Sequence, residues 1–205
     1  MKFTFLVLVL FVSSVFGNYN DTNTYNKKSN EYYKKYKKLY NSLPAENKKR
    51  ILNSYYNTMV YDMGYTLAAT RFLENKGEDA SFNNKKSINK NQHKGYVTYD
   101  CGDYGINTMT YLRSIKKVTK NHKAHIEACK TLSKDKALNL KLALDTYEYG
   151  MDISNGDIKK SWNVYNTGKT KIINDRIYQM KGIIMVLSEE VKKDNPKNYA
   201  NVAVK

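Results

Sequence analysis

The apolar residues of this chain recur mostly at steps of three and four, the spacing that lines one face of an α-helix. Ile173, Ile177, Met180, Ile184, Leu187 and Val191 keep that step longest. They predict a buried or half-buried helix of about five turns, ending before Pro196. Leu140, Leu144, Tyr147 and Met151 predict a second helix that stops at the Asn155-Gly156 turn signal, after which Asp157 can cap a short helix carrying Ile158 and Trp162. Toward the N-terminus, Tyr32, Tyr36 and Leu39 within residues 28–41 predict a helical arm that packs on the rest, preceded by a polar stretch, 18–26, expected to lack regular structure. Ser42-Leu43-Pro44 reads as a break and a new helix start.

From that break to about residue 74, Ile51, Tyr55, Met59, Met63, Leu67 and Thr70 predict one or two helices. Residues 76–100 show no period and read as a long polar loop, a feature that in compact domains often carries function. The class expected is mainly α. No internal repeat, glycine-rich phosphate loop or long heptad array is present in the sequence.

The extreme N-terminus changes this picture. Lys2, the apolar run Phe3–Val12 and the small residues up to Gly17 read as a secretory signal, 1–17, too short for a confident membrane span. An uncleaved anchor stays open as the alternative. The expected organisation is then a basic N-terminal arm, 18–43, a domain over 44–193 and a C-terminal tail, 194–205, in a periplasmic or secreted protein. In that setting the only two cysteines, Cys101 and Cys129, are expected to form a disulfide, the alternative being two buried thiols. The three histidines and two cysteines lack metal-ligand spacing, so neither a metal nor any other cofactor is expected.

The formal charge is +16, with lysines 27, 28, 34, 35, 37 and 38 interleaved with tyrosines in the arm. A basic exported surface suits an anionic wall polymer or a membrane surface. Nucleic acid is not expected as a partner, because the signal segment argues against it. A compositional bias toward Lys, Asn and Tyr explains the same numbers equally well.

The candidate chemistry starts at Glu74. On a helix, Val60, Met63, Leu67, Thr70 and Glu74 share one face, which puts a carboxyl group at the end of an inward stripe. A carboxyl held against apolar neighbours loses solvation of its charged form and can serve as a general acid.

Leu67-Ala68-Ala69-Thr70-Arg71-Phe72-Leu73-Glu74-Asn75 resembles the LAAIAxxES pattern leading to the catalytic glutamate of soluble lytic transglycosylases and their lysozyme-like relatives. Tyr104-Gly105-Ile106-Asn107-Thr108 is similar to the xGLMQ stretch of that family, and Val164-Tyr165-Asn166-Thr167-Gly168 to its AYNxG motif. Tyr178 stands where the family often carries a tyrosine facing the cleft. The three blocks keep the family's order over residues 50–190. The departures are Asn75 for serine, Thr108 for glutamine, and Thr70 and Arg71 within a small-apolar stretch. Glu78 and Asp79 compete with Glu74, because Ser81-Phe82-Asn83 echoes a segment that can follow the family's glutamate.

The resemblance implies a lysozyme-like helical domain that cleaves peptidoglycan glycan strands, with Glu74 as the single acid and base and a 1,6-anhydro sugar as product. It also implies substrate contacts from Asn75, Tyr104, Gly105, Ile106, Thr108, Tyr165, Asn166 and Tyr178, with no second carboxylate in a matching block. Trp162 reads as core in preference to a sugar platform. The other function classes are a muramidase hydrolysing the same bond, a non-catalytic wall-binding component of a secretion or conjugation apparatus, and a basic exported toxin with an unrelated helical fold.

Overall fold

A computed structural model describes residues 22–171 and 175–194. The expected signal segment, residues 18–21, Ile173, Pro196 and the expected tail beyond residue 194 lie outside the described residues. Within them, eight α-helices and one small antiparallel sheet surround a single core, so the mainly α expectation holds at that level.

Helix α1, Thr22–Ser42, begins inside the stretch expected to be irregular. Its tyrosines explain why. Tyr36 and Tyr40 are buried, and both rings meet Phe72 edge-on, at 5.7 and 5.8 Å between centroids. This apolar stripe gives an otherwise polar, lysine-rich helix a reason to dock. It docks on α8, Arg176–Lys193, where Lys37 bridges Glu189 and Glu190 at 2.9 and 2.7 Å and the Tyr33 hydroxyl donates to Glu189 at 2.7 Å. Gly182 of α8 allows the close approach: a Cβ there would lie 2.7 Å from the Tyr33 backbone nitrogen.

Pro44 precedes α2, Ala45–Thr58, and α3 spans Gly64–Asn75. Between them a 3-10 turn, Met59–Tyr61, and Asp62 in the left-handed region break the helix. The continuous stripe from Val60 to Glu74 is therefore corrected. Val60 is 77 % exposed, and the buried residues of α3 begin at Gly64 and Thr66. The break follows from Asp62, whose short side chain tolerates a positive φ, and from Gly64 directly after it.

Residues 76–100 are not all loop. Strands β1, Asn89–His93, and β2, Tyr96–Cys101, form an antiparallel hairpin that pairs Asn89 with Asp100 and His93 with Tyr96; β3, Ile106–Asn107, extends it on the far side of β2. Helices α4, Thr108–Ser114, α5, His122–Lys134, α6, Lys136–Ile153, and α7, Ile158–Thr167, follow. The Asn107, Asn121, Asp135 and Asp157 side chains accept backbone N–H groups at their N-termini. In α6 the buried face carries Leu142, Ala143, Tyr147 and Gly150, so the expected stripe is rotated: Leu140 and Leu144 are only half-buried. Cys101 and Cys129 form a disulfide tying the end of β2 to α5. Trp162 is core, and its indole N–H donates to the Thr66 hydroxyl at 3.4 Å. Among the described residues, no helix is long and apolar enough to cross a membrane.

Candidate active site

Glu74 occupies the last turn of α3 and lines a cleft of about 710 Å3. The sheet contributes Asn91, Thr98 and Asp100 to this cleft, the β3 segment contributes Gly105, Ile106 and Asn107, and α7 contributes Tyr165 and Asn166. The three sequence blocks thus contribute to one cleft: Glu74 lies against Gly105, and Tyr165 and Asn166 line the same cleft. Glu78 is half-buried and Asp79 exposed in the turn after α3, and neither lines the cleft.

The turn Gly102–Gly105 positions the site, and helices on three sides hold it. From α3, Arg71 grips Asp103 with two nitrogens at 3.0 and 2.9 Å, and Asn75 donates to the Gly102 and Asp103 carbonyls at 3.4 and 3.1 Å. From α6, Asn139 accepts from the Tyr104 N–H at 3.0 Å and donates to the Cys101 carbonyl at 2.9 Å. From α7, the Tyr165 hydroxyl donates to the Tyr104 carbonyl at 2.7 Å. The result presses Gly105, at φ +63, so close to the acid that a Cβ there would lie 2.8 Å from Glu74 Cγ and Oε2.

This network revises several expected roles. Asn75 is 2 % exposed, its amide nitrogen donating to the turn's Gly102 and Asp103 carbonyls and its oxygen accepting from the Gly77 N–H, so its polar atoms serve the frame of the site. Tyr104 is buried and offers the site only its carbonyl. Thr108 is fully buried, its hydroxyl shared between the Tyr99 N–H at 3.1 Å and His125 Nδ1 at 2.8 Å. Tyr178 packs its ring against Tyr25 of α1, with Lys28 over it, and is absent from the cleft lining. Thr70 and Arg71, departures from the family pattern, become intelligible as ties. Thr70 shares a 2.6 Å hydrogen bond with the Tyr147 hydroxyl, and Tyr147 stacks on Tyr165 at 4.4 Å.

The electrostatics centre on three groups. Arg176, in the first turn of α8, reaches Glu74 Oε1 with Nη2 at 2.6 Å, and both side chains are sheltered, at 7 and 16 % exposure. Burial pushes the Glu74 carboxyl up from the ordinary glutamate value; Arg176 opposes this and nearby Asp100 adds to it. Asp100 on β2 is itself pushed up by burial, while the Asn91 and Asn107 amides, at 2.8 and 2.7 Å, counter by bonding its charged form. Burial likewise raises Tyr165 and Tyr147, keeping both phenols protonated.

Asp100, Asn107 and Arg176 were not identified from the sequence. Arg176 left a readable signal: it falls on the inward face of α8 with Met180 and Ile183, where a charge needs a partner of opposite sign. Asp100 left a fainter one: it follows Tyr96-Val97-Thr98-Tyr99, a run of strand-forming residues set inside a stretch that otherwise reads as polar loop. Among the described residues, no group of three or more His, Cys, Asp and Glu is arranged to hold a metal ion. The chain matches no family model, no curated protein and no solved structure.

Proposed function

We propose that this chain is an exported enzyme that cleaves the β-1,4 bond between N-acetylmuramic acid and N-acetylglucosamine in peptidoglycan, as a lytic transglycosylase. The observation that carries the reading is a sheltered carboxyl group, Glu74, at the end of a core helix in the same cleft as Tyr165 and Asn166. Protonated Glu74 donates to the glycosidic oxygen. Its carboxylate then accepts the proton of the C6 hydroxyl as that oxygen attacks C1, giving a 1,6-anhydro end without consuming water. Asn166 is exposed on the cleft and suits the N-acetyl group, while Gly105 lets the substrate approach the acid closely. The disulfide supports an oxidising compartment, periplasmic or secreted. The exposed lysines 27, 34 and 38 of α1 suit an anionic wall polymer or membrane surface, and through them a secretion or conjugation apparatus.

One observation favours a second reading. Asp100 shares the cleft with Glu74, and a pair of carboxylates is what a hydrolysing glycosidase uses, one as acid and the other as base or nucleophile. The test incubates purified sacculi with the wild-type chain, Glu74→Gln and Asp100→Asn, and identifies released muropeptides by mass. Anhydro ends from wild type and Asp100→Asn, with none from Glu74→Gln, support the transglycosylase. Reducing ends that vanish in both variants support a muramidase. No release by the wild-type chain removes the enzymatic reading and leaves a wall-binding role.

A further inference from the structure

Two charges of opposite sign, carried by the last turn of α3 and the first turn of α8, meet beneath the cleft. We propose that Arg176 is a positioning residue, which clamps one oxygen of the Glu74 carboxyl group and governs when the other holds a proton for the substrate. The inference rests on the reading of Glu74 as the acid, and extends it to a residue that no sequence block contains.

The geometry divides the carboxyl group. Oε1 faces Arg176 Nη2 at 2.6 Å, whereas Oε2 lies against Gly105, a residue of the cleft wall. A guanidinium suits this task because it stays charged at any relevant pH and its planar fork fixes direction. The other groups that act on Glu74 come from each neighbouring element: Asp100 from β2, Lys76 just past the end of α3, Tyr147 from α6 and Tyr165 from α7. Lys76 is exposed and Asp100 acts in the opposite sense, so Arg176 is the cation that counts.

The consequence has a definite sign. Arg176 stabilises the carboxylate that forms as Glu74 gives up its proton, which favours donation. It also reduces the fraction of the group that is protonated near neutrality, which holds activity toward acid pH. Losing the cation therefore moves the alkaline limb of the rate profile upward while lowering its maximum.

The experiment uses Arg176→Met and Arg176→Lys in the full chain. Cleavage of purified sacculi is followed across pH, and the Glu74 carboxyl is titrated by carbon-13 NMR, its signal assigned by its loss in Glu74→Gln. For Arg176→Met, the limb and the titration midpoint rise together by about one pH unit or more, and Arg176→Lys falls between it and wild type. An unchanged midpoint in Arg176→Met, or activity lost evenly at every pH, overturns the proposal. If wild type cleaves no sacculi, the enzymatic reading fails and the titration alone decides the clamp. If Arg176→Met does not fold, the midpoint of Arg176→Lys decides it: a value equal to wild type counts against the clamp.

Discussion

At Gly105 a single missing methyl group decides whether the acid can sit where it does. The backbone is in the left-handed region and a Cβ would strike the carboxyl arm of Glu74. Gly105→Ala therefore costs about 1 to 2 kcal/mol in backbone strain, read by urea unfolding. On the proposed reading of Glu74 as the acid, its displacement lowers the rate of sacculus cleavage about 100-fold. A variant with unchanged activity would show that Glu74 works from another position. Arg71 offers a second test at this scale. Its pair with Asp103 is buried on both sides, at 8 and 11 % side-chain exposure, so Arg71→Met leaves Asp103 charged without its partner. The expected loss is about 3 to 5 kcal/mol, and replacing both residues by apolar ones of similar size recovers much of it in the same unfolding assay. The placement of Glu74 on a core helix was legible because Leu67 and Thr70 precede it at helical spacing, although the stripe does not reach back to Val60. Asn75 and Thr108 were misread because a motif position says where a residue stands and not whether its polar atoms face a cleft or a neighbouring backbone.

Helices were the most legible elements because burial imposes a period on them. The Asp157 cap of α7 is found as expected, and α8 forms where its period placed a helix, with Ile177, Met180 and Leu187 buried, Ile183 and Val186 sharing the buried face, and Ile184 and Val191 only half-buried. The rotation of α6 has a local cause: both of its flanks are apolar, and the sequence alone does not say which one Tyr147 shares with Ala143. The hairpin escaped notice because β1, Asn-Lys-Asn-Gln-His, is exposed at four of its five positions and carries no apolar alternation. Register there comes from polar ties such as Asn91 to Asp100, which only pairing reveals. The disulfide anchors this sheet to α5. Its reduction is expected to remove about 3 to 4 kcal/mol of stability, measured by comparing urea unfolding with and without reductant. Coincident curves in the two conditions would refute a stabilising role.

At the scale of the whole molecule, the basic arm is part of the core. Tyr36 and Tyr40 of α1 cover Phe72, which lies two residues before the acid, and both tyrosines are themselves buried. A chain starting at residue 44 loses about 2 kcal/mol or more for each ring removed and leaves Phe72 open to water. Such a truncation is expected to show no cooperative thermal transition by circular dichroism. A sharp melt would mean that α1 is dispensable. Its lysines then divide by role: Lys37 is committed to Glu189 and Glu190, whereas lysines 27, 34 and 38 face solvent.

The embrace of α1 by α8 also constrains how this chain becomes native. Tyr33 and Glu189 are 156 residues apart, so the tyrosine face of the earliest described helix stays without its partner until the residues of α8 have been synthesised. Closing so long a loop is slow compared with forming local helices. A chain that completes its core late leaves these tyrosines exposed to proteases and to other chains until α8 arrives.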